Sequence, residues 1–365
     1  MRLQVASTLT LLQAFGVAVG EFDDVGVAPV DALWLGLTVV PAGAQAARIA
    51  VAVATARSPG VFLRIPVIRV APRKGAESRW GAPQTWNDSR SGIMKFGVVL
   101  PGGTATQQLE QALVAEDSGW DGVFVWEAAY GVDAWTLLAA MAARTTRVRL
   151  GTLLTPLPWR RPWKVASQVV TLDQLSGGRA IVTVGLGAVS TDLPLTGEVI
   201  DLPVRADLLD EGIDLIRTLW EGGTRYDGRH YHYECDRTDL VEVGRPVQER
   251  IPIWVVGVWP RPKSMRRVLR CDGVVPQIEV AGRTGSPDDV RDIRAWLAEH
   301  GREDIDVIID GETPTGDAPV ATARARSWAD AGATWWLETR WEMPHNSDER
   351  MREILERLRS GPPAA

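Results

Sequence analysis

The sequence predicts an α/β protein of the (β/α)8 TIM-barrel class, with insertions after the fourth strand and a non-barrel N-terminal extension. Three observations carry this. From Met94 onward a short apolar strand is followed by a helix eight times in about 270 residues, near the ~250 typical of such barrels. The strands are unbroken apolar runs such as KFGVVL (95–100), the pattern of a parallel sheet covered on both faces. The surplus length falls between the fourth and fifth strands, at 186–203 and 222–250.

In chain order, Lys95–Leu100 is the first strand. It stops at Pro101-Gly102-Gly103, residues that weaken a ladder. Gln107–Ser118 sets Leu109, Ala112, Leu113 and Ala115 on one side of a helix that ends at Gly119. Gly122–Val125 and Ala134–Arg144 form the second pair. Val148–Leu154 and Trp163–Leu175 form the third, closed by Gly177-Gly178. Ala180–Val184 and Val204–Trp220 form the fourth. Then follow Ile253–Val256 with Pro262–Arg270, Gly273–Pro276 with Pro287–His300, Ile305–Ile309 with Pro319–Ala331, and Thr334–Leu337 with Asp348–Arg359. Pro262, Pro287 and Pro319 stand at first helical positions, where a missing N–H is harmless. Inside the insertion, Arg225–Tyr233 (RYDGRHYHY) reads as a hairpin turning at Asp227-Gly228.

The composition is that of a soluble globular chain: 365 residues, 45% hydrophobic and 24% charged. A net charge of −6 argues against nucleic acid as a partner. Two cysteines, Cys235 and Cys271, build no disulfide framework, so a reduced, cytoplasmic setting is expected. Residues 1–93 differ from the rest: nine basic and six acidic residues give them +3, and they lack clean periodicity. Three readings compete there. Arg2 before the apolar run Val5–Val19 resembles a secretory signal, but with a one-charge n-region. Ala32–Ala47 is apolar but short of the ~20 residues of a membrane span, and Pro41 interrupts it. The favoured reading is an extension outside the working fold, disordered or arising from a wrongly chosen start, with the barrel domain at 94–365.

Active sites of such barrels lie at the C-terminal strand ends. That selects Pro101 and Gly102, Trp126 and Glu127, Thr152 to Thr155, Gly185 and Gly187, Gly257 to Trp259, Pro276 and Gln277, Gly311 and Glu312, and Glu338, Arg340 and Trp341. Glu127, Glu312 and Glu338 are candidate acid–base carboxylates, or solvated rim charges. Gly185-Leu-Gly187-Ala-Val-Ser190 fails as a dinucleotide fingerprint because no helix starts there. Its glycines serve either the close approach of a flat ligand or a tight turn. Thr152 and Thr155 offer hydroxyls to a polar ring or phosphate, or cap a helix. Gly257 followed by Pro262 and Lys263 is a phosphate site or an ordinary loop. His230 and His232 alternate on the hairpin without a third ligand, so no metal is expected. None of the four histidines ends a strand, which argues against a histidine-centred mechanism. Tryptophan is over-used, with 16 against 4 Tyr and 5 Phe. Trp126, Trp159, Trp259 and Trp341 are expected to wall the barrel mouth. Trp335 and Trp336 are consecutive, so at most one faces the interior.

These stretches together resemble the bacterial luciferase-like monooxygenase family of flavin- and deazaflavin-dependent oxidoreductases. The carriers are MKFGVVLPG (94–102), DSGWDGVFVWE (117–127), RTTRVRLGTLLTPLPWRRP (144–162), VASQVVTLDQLSGGRAIVTVGL (165–186), 208–220 and 251–257. The resemblance covers about 94–360 and none of 1–93. It implies a cofactor ring across the mouth, backed by Thr152, Leu153 and Leu154, in the family often through a non-prolyl cis peptide. The phosphate end then lies near Gly185, Gly187 and Gly257. The substrate pocket is expected from Trp126, Trp259, Gln277, Glu312 and Trp341. Two departures stand out. Many members read Trp-Asp-His where this chain has Trp126-Glu127-Ala128, and the acid that sugar-oxidising members carry after the fourth-strand glycines falls on Ala188. A sugar-phosphate dehydrogenase is therefore disfavoured, while Glu127 keeps a carboxylate near the cofactor.

The resulting expectation is an oxidoreductase or monooxygenase using reduced FMN, or alternatively coenzyme F420, on a small organic substrate. A separate flavin reductase as partner and a homodimer are further expectations; nucleic acid and membrane are not expected partners. The alternatives are a non-catalytic flavin carrier or sensor and an unrelated metal-dependent barrel.

Overall fold

The computed structural model describes residues 34–40, 48–54, 94–189, 197–279, 285–340 and 348–364. Trp34–Val40 (β1) and Arg48–Ala54 (β2) pair antiparallel, Trp34 opposite Ala54 and Val40 opposite Arg48. The sequence reading found no strand periodicity there. Both runs are apolar without alternation, and β1 lies inside the run weighed as a membrane span. The rest of 1–93 is outside the described residues. No helix among the described residues is long and apolar enough to cross a membrane.

Eight strands close a parallel barrel: Lys95–Leu100 (β3), Gly122–Val125 (β4), Arg149–Pro156 (β5), Ala180–Gly185 (β6), Ile253–Trp259 (β9), Gly273–Ile278 (β10), Asp306–Gly311 (β11) and Trp335–Glu338 (β12). Neighbours in the barrel are neighbours in sequence. The exception is β6 beside β9, across the insertion that carries the hairpin Arg225–Asp227 (β7) and His232–Glu234 (β8). That hairpin turns over four residues rather than two, closed by the Gly228 N–H donating to the Tyr231 carbonyl at 2.9 Å. The Glu211 carboxylate accepts from the His230 and Tyr231 amides at 2.8 and 3.1 Å and holds the wider loop.

The helices are Ala105–Asp117 (α1), Ala134–Ala142 (α2), Pro162–Ser176 (α3), Leu202–Trp220 (α4), Thr238–Val243 (α5), Pro262–Val268 (α6), Pro287–Glu299 (α7), Ala318–Ala329 (α8) and Asp348–Arg359 (α9). Only α5 lacks a counterpart in the predicted set. Five of these starts are fixed by side-chain caps. Thr104 and Gln107 form a capping box on α1, Ser286 and Asp289 another on α7, and Asp133, Asp201 and Asp317 cap α2, α4 and α8. Gly177 ends α3 at φ 68°, a conformation suited to glycine.

Alternation sorts the strand side chains. Val98, Val123, Leu150, Val182, Val255, Val274, Val307 and Trp336 face the helices. Val99, Phe124, Leu153, Ile181, Trp254, Val275, Ile308, Trp335 and Leu337 fill the interior. Trp335 and Trp336 thus divide between the two, as their adjacency requires. Inside, Trp254 lies 5.3 Å from both Phe124 and Trp335, centroid to centroid. Glycines make room for these rings. A Cβ at Gly273 would stand 2.3 Å from the Trp254 ring, and one at Gly97 2.9 Å from Phe124. Three large rings therefore form a transverse plug between the two barrel ends.

The signature stretch 144–179 is mostly scaffold. The Arg179 guanidinium, 3% exposed, donates to the carbonyls of Ser176, Val148, Ala142 and Thr145 and to the Thr145 hydroxyl. It thereby satisfies the last carbonyl of α2, at Ala142, and that of α3, at Ser176. Asp173 accepts from the Val247 and Gln248 amides and the Gln248 side chain, tying the insertion back to α3.

Candidate active site

The site begins with an irregularity in β5. Its ladder with β6 runs Gly151 to Ile181 and Thr152 to Val182, then resumes at Thr155 to Val184. One extra residue is accommodated, so Leu153–Leu154 bulges out of the pairing at the mouth. The Leu153–Leu154 peptide bond is cis. Leu153 points into the barrel, while the Leu154 side chain lies over Gly185, where a Cβ would stand 2.9 Å away. The predicted third strand stopped at Leu154; the bulge lets it continue to Pro156.

A buried polar chain runs beside this bulge. Glu127, 9% exposed just past β4, accepts from the Thr155 hydroxyl at 2.6 Å and from the Trp135 indole N–H at 3.1 Å. Its other oxygen is ion-paired with Arg160, which also donates to the Gln168 side chain at 2.8 Å. Burial lowers the Arg160 guanidinium from its ordinary value. Thr155 is 2.9 Å from the Thr152 hydroxyl, which reaches the Thr183 carbonyl at 3.3 Å. The Thr183 hydroxyl is itself buried, with no hydrogen-bond partner among the described residues. Glu127 is therefore a fully engaged carboxylate that fixes Thr155 and Arg160, rather than a solvated rim charge.

The β6 turn forms the next wall. Gly187 has φ +77°, and a Cβ there would stand 1.8 Å from the Trp159 ring. The indole thus lies flat against the glycine backbone, and its N–H donates to the Val199 carbonyl at 2.8 Å.

Thr152, Leu153, Leu154, Thr155, Glu127, Gly185 and Gly187 are accordingly brought to one side of the mouth, over β4, β5 and β6. The remaining candidates are placed differently. Trp126 is 42% exposed, on the inward side of its strand by parity with Phe124. Gln277 follows Val275 on the inward face of β10 and is exposed. Glu312 is an exposed rim residue 3.6 Å from Arg340. Trp259 does not face the mouth: β9 runs to residue 259, alternation turns Trp259 outward, and it packs 6.3 Å from Trp296 on α7. Gly257 likewise serves packing, since a Cβ there would press on Val274, Val268 and Met265. Trp341 lies outside the described residues. Glu338 is buried beneath α9, accepting from Thr313, Trp336 and Arg357. Among the described residues, the expected indole ring keeps Trp126 on the surface and Trp159 behind Gly187.

Sequence reasoning missed Arg160, Trp135, Thr183 and Asp310. Asp310 was accessible through alternation, because Ile308 on β11 faces inward and Asp310 shares its face. A cavity of about 570 Å³ lies at the opposite end of the barrel, lined by Lys95, Arg149, Arg294, Asp306, Trp254 and Trp335 among others. It sits beneath the aromatic plug, at the N-terminal strand ends that such barrels use for stability rather than chemistry.

Comparison with known proteins agrees with this geometry. Residues 94–362 match the luciferase-like monooxygenase family. An F420-dependent glucose-6-phosphate dehydrogenase of Microbacterium testaceum is 27% identical over 244 residues, 62% of this chain and 69% of that protein. A Mycobacterium tuberculosis protein named, provisionally, as a coenzyme F420-dependent oxidoreductase is 33% identical over 176 residues, 46% of this chain. The chain spans 50% of that relative's length. The 4-hydroxyprotoasukamycin monooxygenase of Streptomyces nodosus subsp. asukaensis is 35% identical over 127 residues, 33% of this chain and 34% of its own. Among solved structures, an F420-dependent secondary alcohol dehydrogenase superposes with a TM-score of 0.59 at 18% identity, over 73% of this chain and 98% of the other. That likeness is one of fold. With residues 94–362 matched and the closed parallel barrel in place, the chain belongs to the luciferase-like monooxygenase family.

Proposed function

We propose that the protein is an oxidoreductase that binds a flavin or deazaflavin across the β4–β6 side of the mouth and exchanges hydride with a small organic substrate. The observation that carries this is the β5 bulge at the mouth beside an unspent polar group: Leu153–Leu154 stands out of the ladder, and the buried Thr183 hydroxyl has no hydrogen-bond partner among the described residues. A flat ring with polar edges fits such a surface. Leu153 would lie under it, and Thr152 and Thr155 would line the polar edge, with Glu127 fixing Thr155 from behind. When bound, the cofactor supplies the hydride chemistry; the protein binds, orients and excludes water.

We favour the deazaflavin over the FMN first expected, because several of the similar curated proteins carry F420 in their names. We also favour reduction of an acceptor over oxidation of a sugar. Ala128 and Ala188 stand where the sugar-oxidising members carry a base and an acid, and Glu127 is occupied by Arg160, Trp135 and Thr155. The monooxygenase reading, with reduced FMN from a separate reductase, draws on the family and on the Streptomyces relative.

Titrating the full chain with FMN, FAD and F420, oxidised and reduced, by cofactor fluorescence tests this. Binding of reduced F420 tighter than ~100 μM and its anaerobic oxidation by an enone or aldehyde panel are expected, with no turnover of glucose 6-phosphate. Binding of none of the three refutes the reading. Oxygen consumption with reduced FMN would establish the monooxygenase instead, and tight binding without turnover the carrier.

A further inference from the structure

The hollow at the N-terminal end of the barrel takes no part in the function proposed above. Its volume of about 570 Å³ is that of a ligand pocket rather than of a packing defect. Trp254 and Trp335 form its floor, and Ile181, Pro252 and Ala329 add apolar wall. The Phe124–Trp254–Trp335 plug separates it from the mouth. Lys95, Arg149, Arg294 and Asp306 bring charge to the same wall from β3, β5, α7 and β11. A packed barrel end has no need of charge at that depth.

Arg294 is fixed in place by its surroundings. A Cβ at Gly332 would stand 2.9 Å from its Cγ, so the glycine clears room for the stem. Nε donates to the Gly332 carbonyl and Nη1 to the Ile305 carbonyl, both at 2.7 Å. Nη2 has no acceptor among the described residues, so one edge of a rigid, planar fork is left to offer. Burial lowers this guanidinium from its ordinary value, and Asp306 is the carboxylate that opposes the effect. Burial also pushes the Asp306 carboxyl up, past the opposing pull of Thr334, Lys95, Arg294 and Arg149. Acids at the rim are engaged elsewhere: Asp272 pairs with Arg217 at 2.9 Å and Arg250 at 2.6 Å, and Asp304 with Arg302 at 2.8 Å. One fixed guanidinium edge beside two indoles suits a single negative charge on a flat apolar body. It suits phosphate less well, because phosphate would bring its extra charge and oxygens against apolar wall.

We propose that this cavity is a second binding site, for a small aromatic carboxylate whose charged end meets Arg294 and whose ring lies against Trp254 and Trp335. The inference is independent of the flavin or deazaflavin reading, since the plug stands between the two ends.

The test titrates the full chain with benzoate by calorimetry, with benzyl alcohol and inorganic phosphate as comparators. Benzoate is expected to bind at one site per chain with a Kd tighter than about 5 mM. The comparators, which lack the charge or the ring, should bind at least about tenfold more weakly. Arg294→Gln should raise the benzoate Kd at least about tenfold, and Arg294→Lys by less, because it keeps the charge but not the fork. Arg291→Gln is the control on the same helix: Arg291 is exposed and paired with Asp288, and Kd should stay within about twofold. Ala329→Leu puts bulk into the cavity without removing either Arg294 bond, and should raise Kd at least about tenfold while unfolding stays cooperative. If Arg294→Gln does not fold, Arg294→Lys and Ala329→Leu decide. Trp126→Ala, at the mouth, should leave benzoate binding unchanged; a loss there would place benzoate at the mouth and overturn the inference. It is equally overturned if benzoate binds more weakly than about 5 mM, if the comparators bind as well, or if Kd is indifferent to Arg294 and Ala329.

Discussion

Glu127 shows how one side chain can be read two ways. At a strand end it offers a carboxylate for acid–base work, but both oxygens are spent on Arg160, Trp135 and Thr155. Removing a buried charge's partner is costlier than the pair is stabilising. Glu127→Ala should therefore cost about 3–5 kcal/mol in urea unfolding, and Thr155→Val about 1 kcal/mol. Glu116 gives a pH prediction. Burial pushes its carboxyl up, but the amides of Val148, Arg147 and Thr146 and the Thr146 hydroxyl outweigh this and hold it below the usual range. A depressed folded-state value adds stability above the ordinary carboxylate pKa and loses it as pH falls through the folded one. Glu116→Gln should thus destabilise at neutral pH, and its deficit should shrink as unfolding is measured at progressively more acidic pH. The tryptophans separate cleanly. Trp126→Ala is expected to change ligand binding more than stability. Trp259→Ala should do the reverse, because that ring packs on Trp296.

Among elements, the glycines rank by what surrounds them. At Gly151 a Cβ would stand 2.3 Å from the Ile181 carbonyl oxygen, which is backbone of the paired strand and cannot move aside. Gly151→Ala is expected to cost several kcal/mol, of order 3–5, or to abolish folding. Gly119 has φ +89° and nothing within 4 Å, so Gly119→Ala should cost only about 1 kcal/mol. Thermal denaturation of the two variants checks both. The eight strand–helix units were legible because each is a local pattern: an apolar run, a cap, a glycine stop. The bulge at Leu153–Leu154 was not, because it is a mismatch between two strands and leaves no trace in either alone. The outward turn of Trp259 was hidden for a related reason. A strand apolar on both faces does not announce its phase, and that phase comes from Trp254 meeting Phe124 and Trp335 in the interior. The hairpin turn was misplaced by two residues because Glu211, on a distant helix, holds the His230 and Tyr231 amides.

For the whole molecule, the most specific sequence signature proved to be architecture: Arg179 and Asp173 lock α2, α3 and the insertion to the barrel. The residues that the family resemblance singles out at 152–155, 185 and 187 do lie together at the ends of β5 and β6, whereas a partner brought from afar, such as Arg160 on Glu127, has no local signal in the sequence. We propose that 94–365 folds independently, as the closed barrel contains its own core. The expected outcome is an unchanged Tm and cooperative unfolding on removal of 1–93; a loss of cooperative unfolding would assign that segment to the barrel. The aromatic plug has an optical consequence. Trp254 is fully buried, and Trp335 meets it edge-on at 65°. Rings so close and fixed should couple electronically and give the far-UV dichroism a tryptophan signal that vanishes on unfolding. Their emission should resist external quenchers, whereas Trp126, exposed at the end of β4, can report events at the mouth.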